Sequence, residues 1–204
     1  MRILQTAAVS VMAGEQGCIG KQEVIAASRL LINCQTTLYF TRMTKREFVP
    51  PHHAIQVQAA IDIAAPPDRV AAVYCNVGKW SEIFPATIEH AKIIETGDNW
   101  KEIKVAHKHE GRVPNTLIFL SDTEIGLEES KKIFNASFLN SFEPATGGGT
   151  HYVITAYISL KGVYKVLKPF LKGYVRRQAL KQMSSYVLGP LKTAAEKERS
   201  SVPR

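Results

Sequence analysis

Apolar and polar positions alternate clearly from residue 55 onward. The segment 55–63, IQVQAAIDI, places every second residue from Ile55 to Ile63 on one face. Because successive side chains of a strand point to opposite faces, this pattern predicts a strand with one buried side.

A different period follows this strand. Pro66, Pro67 and Asp68 suit a helix start, and apolar residues then recur at helical spacing as far as Val77. Gly78 ends this helix, and the segment KWSEIF predicts a second short helix before Pro85.

The chain then returns to strands, each bounded by Gly, Pro, Asn or Asp. Six are predicted, at residues 87–95, 99–110, 115–125, 129–134, 136–143 and 150–160. The turns TGDN and PATGGG connect neighbouring strands as hairpins. The three glycines are not a phosphate-binding loop, because neither a Lys-Ser/Thr pair nor a helix follows them.

One long helix is predicted to close the chain, over residues 163–197. Its first half has apolar residues at helical spacing, which we expect to pack on the sheet: Val163, Val166, Leu167, Phe170, Leu171, Tyr174 and Val175. Pro169 removes one helical hydrogen bond and, with Gly173, is expected to kink or segment the helix.

This order of elements predicts an α+β fold. A curved antiparallel sheet of about seven strands wraps on the C-terminal helix, with two short helices after strand 1. An antiparallel sheet can leave one face in water and must cover the other. Only the last helix is long enough to cover it, so a cavity for an apolar ligand is expected between them.

Charge distinguishes the last quarter of the chain from the rest. The net charge is +8, and no Asp or Glu lies between Glu143 and Glu196. Five cations recur along the first half of the predicted helix, at Lys161, Lys165, Lys168, Lys172 and Arg176. They form either a solvated face or a docking surface for an anionic membrane or acidic partner. Nucleic acid is not expected as a partner, because no nucleic-acid motif accompanies the helix.

Two further features bear on compartment. Three cysteines, Cys18, Cys34 and Cys75, form no metal-type pair and favour a reducing compartment, so a cytoplasmic protein is expected. Cys75 lies among apolar residues and is interpreted as a buried small side chain. No run of about eighteen uncharged apolar residues is present, so a spanning helix is not expected.

The first residues differ from the rest and are assigned to an extension, residues 1–53. Either they add a helix or strand to the domain, or they are disordered, or translation begins at Met43. The globular domain is predicted at residues 54–198, and residues 199–204 are predicted to form a disordered tail.

Residues 54–198 resemble the START-related superfamily, also called SRPBCC, which includes lipid-transfer domains, birch-pollen-allergen-like proteins and polyketide cyclases. The resemblance is carried by IQVQAAIDIAAPPDRVAAVYCNVGKWSEIFPATIEHAKII near the start and by FLNSFEPATGGGTHYVITAYISLKG and the last helix near the end. It implies a helix-grip fold and an apolar or aromatic ligand, and does not choose between carriage and catalysis.

Strand parity supplies the first candidate site residues. His107 and His109 share a face with Ile103 and Val105, so both rings face the cavity if those residues do. There they would act as a general base or a hydrogen-bond partner; alternatively, the strand end is solvated. Arg112 follows in a turn, at the cavity mouth or in solvent. No metal site is predicted, since no third ligand accompanies the histidines.

Aromatic residues complete the set of candidates. Parity places Tyr152 and Tyr157 on opposite faces of the last strand, so one of them is expected to face the cavity. The cavity candidates are therefore His107, His109, Arg112, Phe119, Phe138, Tyr152, Tyr157, Phe170 and Tyr174.

Together these observations predict a cofactor-free protein that binds a hydrophobic small molecule, such as a lipid, a quinone or an aromatic polyketide, as a carrier. The alternative is a polyketide aromatase/cyclase or dehydratase using cavity His, Tyr and Arg residues. No catalytic signature is present in the sequence, which favours the non-catalytic protein.

Overall fold

The computed structural model describes residues 45–108 and 111–200, with side chains to residue 197. The predicted extension before residue 45 and the end of the predicted tail lie outside the described residues, as does His109. The strands are β1 (Ile55–Ile63), β2 (Ile88–Thr96), β3 (Trp100–His107), β4 (Gly111–Phe119), β5 (Glu124–Ser130), β6 (Phe134–Ala145) and β7 (Gly149–Leu160). The helices are α1 (Pro67–Cys75), a 3-10 turn (Val77–Lys79), α2 (Trp80–Ile83), α3 (Val163–Val166), α4 (Lys168–Met183), a π segment (Ser184–Leu188) and α5 (Gly189–Ser200).

The seven strands form one antiparallel sheet in the order β1-β7-β6-β5-β4-β3-β2. Its inner face carries the alternate apolar residues that the sequence predicted, such as Ile55, Ile103 and Ile154, all nearly inaccessible to solvent. The C-terminal helices cover this face, and Met183 and Leu191 contribute to the same core. The predicted helix-grip α+β fold is therefore confirmed.

The middle of the sheet departs from the predicted strand bounds. Residues 121–123 form a turn in which the Thr123 N–H donates to the Ser121 hydroxyl at 3.2 Å, so β5 begins after it at Glu124. The predicted strand ran through SDT, whereas this hydroxyl turn interrupts the strand there. Pro114 lies within β4 and pairs with Lys104 of β3. It is tolerated because the β5 ladder begins only at Asn115, which leaves Pro114 without a neighbour on that side.

Residues before the predicted domain start pack on the outer face of the sheet. The Arg46 N–H donates to the Asn99 side chain at 2.9 Å, and the guanidinium lies 3.9 Å from the centre of the Trp100 ring. Phe48 lies over Gly126, where a Cβ would approach its ring carbon to 2.5 Å. The glycine therefore provides the space in which this segment lies flat on β5.

The last helix is divided as the sequence indicated. Leu167 separates α3 from α4, and Pro169 occupies the first turn of α4, where its missing N–H costs nothing. Gly173 lies inside α4 without a break. A π segment at Ser184–Leu188, which the sequence did not predict, connects α4 to α5.

The orientation of α4 corrects the expected packing of its apolar residues. Ala179 and Met183 are buried against the sheet, with Val175 and Leu171 partly covered one and two turns earlier. The other five of the seven residues expected to meet the sheet are exposed instead: Val163, Val166, Leu167, Phe170 and Tyr174. Helix α4 has apolar residues on two sides, and the side that carries Ala179 and Met183 packs on the sheet.

Candidate ligand cavity

A cavity of about 430 Å³ lies between the inner face of the sheet and the C-terminal helix. Its inner end is built from the aromatic residues Tyr74, Trp80 and Phe84 of α1, α2 and the following turn. Phe138 and Ile154 of the sheet form one wall, and Ala179, Met183 and Val187 of the helix form the other. Most of the surface is apolar, so the cavity suits a molecule with an apolar body.

A layer of aromatic and polar side chains fixes the inner end. The Tyr152 hydroxyl donates to the side-chain oxygen Oδ1 of Asn140 at 2.7 Å, and the Asn140 side-chain Nδ2 donates to the Ile125 backbone carbonyl at 3.0 Å. Phe142 stacks on Tyr152 with a ring separation of 5.0 Å. The Trp80 indole N–H donates to the Tyr74 carbonyl at 2.7 Å. Because these buried polar groups are satisfied, the layer is a stable floor for the cavity.

Polar side chains line the same cavity as well, among them His107, Asn115, Glu129 and Lys131. Glu129 and Lys131 form an ion pair at 3.1 Å, and only 9% of the Glu129 side chain is exposed. Asn115 is directly opposite Glu129 across the β4–β5 ladder. The Asn115 side-chain oxygen is buried and has no hydrogen-bond partner among the described residues. A buried acceptor of this kind is costly unless a ligand or water satisfies it.

The structure separates the candidates that the sequence grouped together. His107 and Phe138 line the cavity, and Tyr152 lies in the floor layer. Arg112 is exposed on β4 opposite Ala106, and Phe119 packs at the edge of the core with the Lys101 ammonium 5.2 Å from its ring. Tyr157 faces outward and meets Phe48 at a ring separation of 6.5 Å. Phe170 and Tyr174 lie outside the cavity on the helix, because α4 turns a different side to the sheet.

The lining residues that the sequence candidates did not include comprise three polar ones, Asn115, Glu129 and Lys131. Asn115 shares strand parity with the buried Leu117, and Glu129 shares it with Leu127, so alternation places both on the inner face. The predicted strand bounds separated Glu129 from Leu127, whereas Asn115 lay inside its predicted strand and is a polar residue at a position where alternation favours an apolar one. Lys131 follows β5 and reaches the cavity from a turn, for which the sequence offered no signal.

The predicted cationic row is less available than the sequence suggested. The Lys161 ammonium donates to the Ser130 hydroxyl at 2.9 Å, and the Lys168 ammonium donates to the His53 carbonyl. Arg176 donates to the Gln56 carbonyl at 3.3 Å. These three therefore lie toward the protein, whereas Lys165 and Lys172 are exposed.

We predict that stability falls as the pH rises above about 9. Burial raises the pKa of Tyr74 and of Tyr152 above the ordinary value, and burial raises the pKa of the Cys75 thiol to about 11. The folded protein thus keeps protons that the unfolded chain loses between the unfolded and folded pKa values. Each such group lowers the free energy of unfolding by up to about 1.4 kcal/mol per pH unit in that window.

Urea denaturation between pH 8 and pH 11 measures this slope. Tyr152→Phe should make the slope above pH 10 shallower than that of the wild-type protein. Equal slopes in the variant and the wild type would show that Tyr152 ionises as freely in the folded state as in the unfolded chain.

Within the described residues, no group of three or more His, Cys, Asp or Glu side chains is placed to hold a metal ion. Among the helices of residues 45–108 and 111–200, none is both long enough and apolar enough to cross a membrane.

Comparison with known proteins gives a result for structure and none for sequence. No protein-family model matches the chain, and no curated protein sequence matches it. Among solved structures, an aromatase/cyclase from Streptomyces sp. R1128 is similar, with a TM-score of 0.57 and 18% identity over 72% of this chain and 96% of that one. A START superfamily protein from Mycobacterium smegmatis has a TM-score of 0.57 and 12% identity over 70% and 98%.

A truncated norcoclaurine synthase from Thalictrum flavum is similar as well, with a TM-score of 0.52 and 10% identity over 74% of this chain and 97% of that one. These similarities span nearly the full length of the three solved chains, while the identities are too low to transfer an activity. The chain therefore has the helix-grip fold of the START-related (SRPBCC) superfamily.

Proposed function

We propose that this protein binds a hydrophobic small molecule in the cavity between its sheet and its C-terminal helix, as a carrier or binding protein. The observation that carries the proposal is the mostly apolar cavity with the buried Asn115 oxygen in its wall. A volume of about 430 Å³ falls in the usual range for small-molecule sites.

The polar lining residues limit the chemical classes of ligand that the cavity would bind. A hydroxyl or N–H group on the ligand would satisfy the Asn115 oxygen, and the Glu129 carboxylate opposite is a second acceptor. Among the predicted classes, this favours hydroxyl-bearing lipids, reduced quinones and phenolic polyketides. The ligand would place its apolar body against Tyr74, Trp80 and Phe138.

Solvent extraction of the purified protein tests the proposal. Mass spectrometry of the extract should show a bound apolar compound carrying a hydroxyl or amine, in a near-stoichiometric amount. Protein that yields no such compound, and that gives no fluorescence enhancement with 1-anilinonaphthalene-8-sulfonate beyond that of a cavity-filled variant, would contradict it.

Catalysis on a polyketide is the second candidate. It is favoured by the convergence of His107, Glu129 and Lys131 on the cavity, and aromatase/cyclases are among the structural neighbours. The histidine and the carboxylate are groups that can move protons at an enolisable carbon. Turnover of a linear polyketide mimic that is lost in Glu129→Gln, while binding of the mimic is kept, would replace the carrier proposal with this one.

We also propose a cytoplasmic location with peripheral contact to an anionic membrane. The support is the odd number of cysteines, which favours a reducing compartment, and the acid-free stretch before Glu196. A carrier of a poorly soluble molecule needs a place to collect and release it, and a membrane surface is the usual source of such molecules.

A further inference from the structure

The start of the C-terminal helix presents a row of exposed apolar side chains. This row, called the exposed apolar face below, consists of Val163, Val166, Leu167, Phe170 and Tyr174. Phe170 is 85% exposed, Val166 78% and Tyr174 64%. Leu167, Phe170 and Tyr174 are spaced by three and four residues, so they lie on one side of the helix.

Single exposed apolar residues are common on protein surfaces, but a continuous row is a mark of an interaction surface. The row does not result from poor packing of α4. The opposite side of the helix already contributes Ala179 and Met183 to the core, so α4 is anchored through that side. The exposed apolar face therefore takes no part in packing the core of the domain.

Positive charge continues this face along the helix. Arg177 and Lys181 follow Tyr174 by three and seven residues, so both lie on the same side of α4 as Phe170 and Tyr174, and both are exposed. No acidic residue occurs from residue 144 to residue 195, so none lies on α3 or α4. An apolar row flanked by cations is the composition of helices that lie in the interface of an anionic bilayer.

The charge argues against the two other occupants. A second copy of the chain, docked through the same face, would bring the two sets of cations together and repel. Residues 1–44 carry four basic and two acidic residues, so they offer no complementary charge: Arg2, Lys21, Arg29, Arg42, Glu15 and Glu23. An anionic lipid surface is the occupant that matches both the apolar row and its rim.

The exposed apolar face lies next to one end of the cavity. The Lys161 N–H, just before α3, donates to the Ile133 carbonyl at 2.8 Å. Phe134 and Ile158, both cavity-lining residues, follow and precede these two positions closely on β6 and β7. Ile133 is itself 43% exposed and extends the apolar surface toward this end.

We propose that the exposed apolar face inserts into the surface layer of an anionic bilayer, with Phe170 deepest and the cations at headgroup level. This attachment brings the Phe134 and Ile158 end of the cavity to the lipid. The inference rests on the proposed function only for the biological purpose of the attachment, since the face would bind lipid even if the cavity were empty.

Vesicle sedimentation measures the attachment. The protein should bind vesicles of phosphatidylcholine with about one third phosphatidylserine, and bind pure phosphatidylcholine vesicles about tenfold less or weaker. Phe170→Ser with Tyr174→Ser should reduce binding to the anionic vesicles by about tenfold or more. Ile94→Ser, at an exposed apolar position on β2, is the matched control and should change nothing.

Charge is tested separately from insertion. Arg177→Gln with Lys181→Gln should reduce binding at low salt by about tenfold or more, since each cation contributes near an anionic surface. Lys92→Gln with Lys104→Gln removes two exposed lysines that pair across β2 and β3 and should have little effect.

A tryptophan at the insertion point reports depth directly. In Phe170→Trp, vesicles of brominated lipid should quench the added fluorescence, whereas Ile94→Trp should not be quenched. Insertion would be overturned if the Phe170→Ser, Tyr174→Ser variant bound anionic vesicles as strongly as the wild type. It would also be overturned if brominated lipid did not quench the fluorescence of Phe170→Trp. A stable dimer that this double variant dissociates, without vesicle binding, would overturn it in favour of self-association.

The same variants distinguish this inference from the proposed function. Phe170→Ser with Tyr174→Ser should lose vesicle binding and still yield the extracted ligand. A cavity-filled variant should lose the ligand and still bind vesicles. Failure of only one of the two results therefore identifies which idea is wrong.

Discussion

Replacing Ala136 with Phe is expected to remove the ligand from the purified protein. Ala136 lies on the cavity wall, is 2% exposed, and points its methyl group toward the space that the ligand would occupy. A phenyl ring there fills part of the cavity, so the amount of extracted compound should fall by about tenfold or more. An apolar site cannot hold a molecule and a side chain in the same volume.

Leu139→Phe is the matched control for this result. Leu139 lies on the same strand, three residues further along, and parity places it on the outer face. The substitution adds aromatic volume to β6 without entering the cavity, so the amount of extracted compound should be unchanged. Ala179→Leu fills the same space from the helix and provides a second test if Ala136→Phe folds poorly.

An unaltered extract from both filling variants would show that the compound binds elsewhere. The urea denaturation midpoint of each variant establishes that it is folded. Overpacking costs about 1–3 kcal/mol in a filled core and should cost less beside an open cavity.

Replacing Phe142 or Phe170 with Ala should have very different effects on the free energy of unfolding. Phe142→Ala is expected to lower the free energy of unfolding by about 3–5 kcal/mol, because Phe142 is fully buried and stacks on Tyr152. Its ring also lies 5.9 Å from that of Tyr74, so the loss leaves a void in the floor of the cavity.

Phe170→Ala is expected to change the free energy of unfolding by less than about 0.5 kcal/mol, because the Phe170 side chain contributes almost nothing to the core. Urea denaturation of both variants, measured in the absence of lipid, gives the comparison. A loss of several kcal/mol in Phe170→Ala would mean that the helix packs its apolar row on the protein and would remove the basis for membrane insertion.

The pattern of the chain predicted most of the fold because its strands have one buried face. Alternation at Ile55 to Ile63 and at Ile103 and Val105 placed the correct side chains inside. Local turn chemistry was the weaker signal. The Ser121 to Thr123 turn places the start of β5 at Glu124, whereas the sequence prediction began a strand at Glu129 and so separated Glu129 from Leu127 on the inner face.

Helical periodicity was less informative than strand periodicity. In the stretch from Val163 to Val175, apolar residues cover more of the helix than one side, so the sequence allows more than one packed face. The strongest row by size, with Phe170 and Tyr174, was expected to pack. The side that packs on the sheet instead carries Ala179 and Met183, whose small and flexible side chains allow the helix to approach the sheet.

The sequence by itself determined the fold class, the order of elements, the acid-free last quarter and the break near Pro169. Each of these depends on local pattern or on composition, which neighbouring residues carry. Only the tertiary structure decided which polar groups share the cavity and which side of α4 faces water. Those outcomes depend on pairing between strands and on the rotation of one helix about its axis, and both are set by contacts between residues far apart in the chain.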